Sequence, residues 1–320
     1  MRLFAFILGL VIVTDFAPVP AYAQRPEIVG QIRAAIDAKD FAQAERILAA
    51  HKAAAGVDGP YLEALSWLAR GEFAAKDYTA AERYAEQTRA GVLDQLKRRK
   101  LDDDSSLALA LGASIEVQSQ VLNATGRKTE GVAFLQEEVK TWHDTSIRAR
   151  IQKNLNLVTL QGRRAPKLDT KEYLGTAPPS LLALRGKPVL LFFWAHWCRD
   201  CKAEADVLAR LAEEHPALVV IGPTQRYGYA DGGEETTRDA ELRYIETVRA
   251  RYYARIPRMS VPVSEENFKA WGASTTPTLA LIDRLGIVRL YHPGRMTYEE
   301  LAPKVAALLK PSPAKQPIGR

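Results

Sequence analysis

Two thiols three positions apart are the feature of this chain best suited to chemistry. Cys198 and Cys201 are its whole cysteine complement in 320 residues. Two cysteines fall short of a disulfide-dense scaffold and of an all-cysteine zinc site. At this spacing they could close a local disulfide and reopen it, a two-electron exchange. The residues alone also leave open an inert pair or half of a metal site. There is no second C-x-x-C, and the five histidines show no ligand spacing. We therefore expect no metal and no bound cofactor, the Cys198–Cys201 disulfide itself carrying the electrons.

Those thiols need a scaffold. Pro188 to Trp194 is a short apolar run that reads as a buried strand, and Lys202 to Glu213 has helical periodicity. A strand ending at Trp194 and a helix starting near Cys198 put the first sulfur at a helix N-terminus. Amide groups and the helix dipole there favour a thiolate. Cys198 should then attack, and Cys201, one turn into the helix, should resolve. Ala217 to Ile221 reads as a second strand and Arg238 to Tyr253 as an amphipathic helix. Thr278 to Ile282 and Ile287 to Tyr291 flank the turn Arg284-Leu285-Gly286, a hairpin signal, and Thr297 to Leu309 reads as a closing helix. This predicts a small α/β sandwich over 188–310. Pro166, Gly175, Pro178 and Pro179 mark 162–187 as a linker and lead-in, and 311–320 is a Pro-rich tail expected to be disordered.

Residues 24–161 have a different rhythm, with apolar positions at three-four spacing. The octamer from Lys39 to Arg46, Lys-Asp-Phe-Ala-Gln-Ala-Glu-Arg, recurs as Lys76 to Arg83 at an offset of 37 residues. In both copies an aromatic, Phe41 or Tyr78, opens a helix and a small residue, Ala44 or Ala81, follows three positions later. A weaker third copy starts at Gly126-Arg127-Lys128, with Gly131 in the small position. These segments, 27–160, resemble tetratricopeptide repeats, which implies a partner-binding surface. A generic helical bundle is the alternative. The fold class expected is thus α followed by α/β.

Arg2, the apolar run Leu3 to Val13, and Ala21-Tyr22-Ala23 read as an export signal over 1–23, with cleavage expected after Ala23. The apolar run is shorter than the about 20 residues of a membrane span. An uncleaved anchor is the other reading. We expect an exported protein, periplasmic in a Gram-negative cell, where disulfides persist. The formal charge is +6, but acids and bases are mixed along the chain, so no nucleic-acid partner is expected. Lys97-Arg98-Arg99-Lys100 followed by Asp102-Asp103-Asp104 reads as a solvated helix end rather than a partner patch.

The segment Trp194-Ala195-His196-Trp197-Cys198-Arg199-Asp200-Cys201-Lys202 resembles the active site of thioredoxin-fold oxidoreductases. Leu184-Arg185-Gly186-Lys187 is similar to the lead-in of their TlpA/ResA-like exported branch. Gly272 and Thr276-Pro277-Thr278 resemble the cis-proline loop, and Leu281 to Gly286 the hairpin. The resemblance covers about residues 165–310. It implies that Thr276, before a cis Pro277, faces the active sulfur and offers backbone groups to an extended substrate. It implies that Glu204, one turn beyond Cys201, moves protons for the buried thiol, with a raised pKa. The bland alternative for Glu204 is an exposed helix-surface carboxylate. Trp197 should cover the site as an apolar platform and Trp194 should belong to the core. His196 would either tune the thiolate or face solvent.

Three features depart from that family. Arg199-Asp200 lacks the proline usual before the second cysteine, and its opposite charges pull on the Cys198 thiolate in opposite directions. Phe192 replaces the buried Asp of thioredoxin itself, which increases the demand on Glu204. Pro223 to Thr237 is a long loop, either bordering the site or a surface excursion.

The expected function is an exported thiol-disulfide oxidoreductase acting on protein disulfides, reductive by resemblance. A membrane thiol relay would donate electrons, and the helical half would recruit protein partners. Two other classes fit less of the sequence: a repeat-based scaffold with an auxiliary thioredoxin-like domain, and a copper chaperone holding Cu(I) with two thiolates and a histidine.

Overall fold

The computed structural model describes residues 26–310. The leader expected at 1–23, its cleavage point after Ala23, and the tail 311–320 lie outside the described residues.

The first half is seven α-helices: α1 (Glu27–Asp37), α2 (Phe41–Ala55), α3 (Gly59–Ala74), α4 (Tyr78–Gln95), α5 (Ser105–Ala124), α6 (Lys128–Thr141) and α7 (Arg148–Thr159). The repeated octamer is a turn-and-cap device. Lys39 and Lys76 both take positive φ, and Gly126 takes the same role in the third copy. Asp40 and Asp77 then accept the Gln43 and Ala80 amides as N-caps. Ala44, Ala81 and Gly131 are all buried, so each second helix of a pair presses closely on its neighbours. Most of the charged block 97–104 is consumed locally, while Asp102 accepts from the Ser146 amide and hydroxyl across the fold. Asp104 caps α5, Asp103 accepts the Lys100 amide, and Arg99 pairs with Asp104.

The second half is a six-stranded sheet in the order β1-β4-β3-β2-β5-β6. Its strands are β1 (Tyr173–Gly175), β2 (Val189–Phe193), β3 (Val219–Ile221), β4 (Ser260–Pro262), β5 (Thr278–Ile282) and β6 (Val288–Pro293). The helices α8 (Arg199–Glu214), α9 (Arg238–Tyr252), α10 (Glu265–Trp271) and α11 (Tyr298–Leu309) cover it. Central β2 pairs parallel to β3 and antiparallel to β5, and all five of its residues are buried. Strand alternation divides them between two cores. Leu190 and Phe192 join the core with Leu208 of α8, Ile245 of α9 and Leu301 of α11. Val189, Leu191 and Phe193 join Phe268 and Trp271 of α10 and Leu160, just beyond α7.

One expectation needs correction. The segment 162–187 contains strand β1, which pairs with β4, and its start is bonded to the β6 edge through Gly162 N–H to Val288 O and Val288 N–H to Arg163 O. It is part of the sheet's frame as well as a connection. Residues 254–272 supply β4 and α10. Both strands are three residues long and lie toward one edge, and one ends in Pro262, so neither carries an alternation signal.

The halves meet where α7 packs on α10. Gly272 ends α10 in the left-handed region at φ 62°. A Cβ there would stand 2.3 Å from the Lys153 backbone nitrogen, so only glycine admits this approach. Asn156 Nδ2 donates to Trp271 O at 2.8 Å across the junction. The loop that follows Gly272 carries Thr276 and Pro277.

Candidate functional site

The site begins at the end of β2. Trp194 is fully buried, its indole N–H donating to Gly222 O at 2.8 Å, while Thr224 Oγ1 donates to Trp194 O. The chain then turns into α8 with Cys198 at the N-cap. Cys198 and Cys201 form a disulfide with Cα atoms 5.3 Å apart. The Cys201 N–H donates to Cys198 Sγ at 3.0 Å. The sulfur therefore takes the place of a capping oxygen, and the same amide and helix dipole favour negative charge on it after reduction. Arg199 and Asp200 are exposed on the first turn.

The Thr276–Pro277 peptide is cis. Thr276 O lies 3.5 Å from Cys198 Sγ, within reach of a thiol proton in the reduced form. Gly294 N–H donates to Pro277 O at 2.8 Å and Thr278 Oγ1 donates to Thr275 O at 2.6 Å, which pins this loop from both sides.

Glu204, one turn after Cys201, is completely buried. Among the described residues neither carboxylate oxygen has a hydrogen-bond partner of ordinary geometry, and Arg295 Nε stands 3.5 Å from Oε2. Burial pushes its pKa up to about 6, against the weaker opposing pull of the Met296 backbone and Arg295. The exposed-surface alternative is thus excluded for this carboxylate. It is poised to exchange a proton near neutral pH.

The solvent-facing alternative for His196 is overturned. The ring is fully buried and boxed by Tyr227, Tyr229 and Tyr244, with centroids 5.5, 5.3 and 5.3 Å away. Its Nε2 lies 3.3 Å from Glu241 Oε1. Burial lowers the imidazole pKa while Glu241 opposes the shift, so the ring is held as a neutral spacer behind the disulfide segment. Glu241 also accepts the backbone N–H groups of Tyr227 and Gly228. That buried carboxylate holds the 223–237 loop against the site. Tyr227 meets Trp197 edge-on at 5.5 Å. Trp197 itself is 49% exposed, an open platform beside the sulfur. Phe192 packs edge-on against Tyr253 in an apolar core.

Glu241 and Arg295 are site residues that the sequence did not single out, whereas Tyr227 belongs to the 223–237 loop noted there. Glu241 sits in a helix with other acids, and only the fold shows that it is the one turned inward. Among the described residues no three His, Cys, Asp or Glu side chains converge as a metal site, and no helix is long and apolar enough to cross a membrane.

A family model described as a thioredoxin-like domain matches residues 180–309. The chain is 26% identical over 148 residues to the thioredoxin-like protein YneN of Bacillus subtilis, covering 45% of this chain and 78% of that protein. It is 32% identical over 126 residues to the thiol:disulfide interchange protein DsbE of Xylella fastidiosa, covering 39% of this chain and 57% of that one. It is 40% identical over 57 residues to the soluble secreted antigen MPT53 of Mycobacterium tuberculosis, covering 18% of this chain and 33% of that protein.

Proposed function

We propose that this chain, whose second half is a thioredoxin-like domain with thiol:disulfide interchange proteins among its relatives, reduces protein disulfides outside the cytoplasm. The observation that carries the reading is one arrangement. A sulfur caps α8, a carbonyl from the cis-proline loop lies 3.5 Å from it, and a buried carboxylate sits one turn below its partner thiol.

With the pair reduced, the Cys198 thiolate attacks one sulfur of a substrate disulfide. A mixed disulfide forms and the other substrate sulfur leaves as a thiolate, which takes up a proton. Cys201 loses its proton to Glu204 and attacks Cys198. The mixed disulfide breaks, the second substrate sulfur leaves and is protonated, and the Cys198–Cys201 disulfide closes. Two electrons and two protons pass to the substrate. A dithiol donor must then reduce the pair, and for an exported protein we place that donor in the membrane. Trp197 and Thr276 hold the substrate chain beside Cys198. The helical half, with its successive helix pairs, recruits the protein partner.

Export rests on the 1–23 segment and on the likeness to MPT53, a secreted antigen. The test is direct. Wild-type protein reduced with a dithiol is mixed with insulin, and reduction of the insulin disulfides is followed by turbidity. Catalysis that is lost in Cys198→Ser supports the reading. A wild-type rate equal to the dithiol alone would sink it.

A further inference from the structure

One groove joins the two halves of the molecule at the active site. It encloses about 480 Å³ and runs from Trp197, Tyr227 and Thr276 on the thioredoxin-like side to Thr145 and Ser146 in the turn before α7 and Ala149 in its first turn. We propose that this groove binds the segment flanking the substrate's cysteine, as an extended and uncharged stretch of polypeptide, and that α7 is its specificity-determining wall. The inference rests on the thiol-disulfide reading and names its substrate class.

Continuity with the reacting atom is the first argument. Thr276 lines the groove, and its carbonyl oxygen is 3.5 Å from Cys198 Sγ. A chain whose cysteine reaches that sulfur must run into the groove or out over solvent. The groove is also rigid. Gly272 and Asn156 lock α7 onto α10 immediately before the Thr276 loop, and Glu241 accepts the Tyr227 and Gly228 amides and so fixes the backbone there. The walls are preformed, which lowers the ordering cost of binding an extended segment.

Charge gives the third argument. Arg226 and Lys269 both line the groove, but each is engaged. Arg226 is gripped by both carboxylate oxygens of Glu172, and Lys269 holds Glu265 and Glu266 at 3.0 and 2.9 Å. Glu265, the third charged group on the walls, is the one paired with Lys269, and the remaining lining is hydroxyl, amide, aromatic and alanine methyl groups. They offer hydrogen bonds to a peptide backbone and a face for an apolar side chain. A charged flank would be desolvated without a counter-charge. A small disulfide needs only the sulfur end of the groove and should not sense α7 at all.

The test uses the reduced full-length protein and three probes. One is a peptide disulfide whose cysteine is flanked by Ser, Gly and Tyr. The second has Asp in place of Ser, and the third is hydroxyethyl disulfide. Single-turnover rates are compared for wild type, Ala149→Arg and Ala149→Glu. Each comparison is a ratio of probes within one protein, so a general loss of stability cancels. We expect wild type to prefer the neutral peptide. Ala149→Arg should shift the ratio toward the Asp peptide and Ala149→Glu away from it, about tenfold apart, the scale of a single charge contact in a binding groove. Hydroxyethyl disulfide should react alike with all three proteins. A peptide ratio that is the same in all three proteins overturns the inference and leaves the redox reading intact. A wild type inert to every probe overturns the redox reading, and this inference with it.

Discussion

Replacing Glu204 by Gln separates the two consequences of burying a carboxylate beside a redox pair. The folded protein binds that proton more tightly than the unfolded chain, since its pKa rises from 4.5 to about 6. Below pH 4.5 both states are protonated and the site costs nothing. As pH climbs through 4.5 toward 6 the unfolded chain ionises first, and the folded state loses stability. At about 1.4 kcal/mol for each tenfold difference in proton affinity, the loss is about 2 kcal/mol and is complete above pH 6. Glu204→Gln should remove it, so the variant gains about 2 kcal/mol on wild type between pH 4 and pH 8 in urea titrations. Activity should move the opposite way. A carboxylate that titrates near 6 can accept the Cys201 proton at pH 7, and an amide cannot. Resolution of the mixed disulfide, followed by acid quench and mass spectrometry, should slow about 100-fold, and the inflection near pH 6 should vanish from its profile. If the variant overlays wild type in both rate and pH profile, Glu204 is not the proton acceptor.

Other perturbations test separate links. Cys201→Ser should accumulate disulfide-linked partners at Cys198, visible on non-reducing gels, and the double replacement with Cys198→Ser should show none. Gly272→Ala places a methyl group on the Lys153 backbone at positive φ, and should cost at least about 2 kcal/mol, read as a fall in Tm. Burial depresses the His196 pKa from 6.5, so stability is retained above that value and lost as pH falls through the lower folded value. His196→Gln should flatten that acid limb in urea titrations at descending pH, and an unchanged limb would assign the acid sensitivity elsewhere. Asp77→Ala removes the cap of α4 and should cost about 1 kcal/mol in thermal unfolding.

The parts of this site that were legible in the sequence are those whose placement is local. A continuous apolar run makes β2, and a change of period after it makes α8, so the Cys198 sulfur falls at the junction by chain geometry alone. The repeated octamer was legible for the same reason, because an Asp cap and a small residue act within one turn. The illegible parts depend on distant residues. His196 is buried only because Glu241 and three tyrosines, 31 to 48 positions away in the sequence, close around it. Strands β1 and β4 are defined by each other rather than by their own residues. The ambiguity over the 223–237 loop was of this kind too, since Glu241, not a loop residue, decides where the loop lies.

This division explains why the helical half matters to the chemistry. The half that carries the sheet holds the sulfur, carbonyl and carboxylate on its own elements, since all three arise on α8 and the loop before β5. It cannot build both walls of the groove beside them. The groove's second wall comes from α7, and α7 is held there by Gly272 and Asn156, at the end of α10 that leads into the Thr276 loop. A displacement of the helical half would therefore move the substrate wall while leaving the sulfur's own surroundings in place. Gly272→Ala offers that dissection. At a temperature where the variant is still folded, its rate with hydroxyethyl disulfide should match wild type, while its rate with the neutral peptide disulfide falls. Equal losses on both probes would show that the junction supports the redox pair itself rather than the wall that selects its substrate.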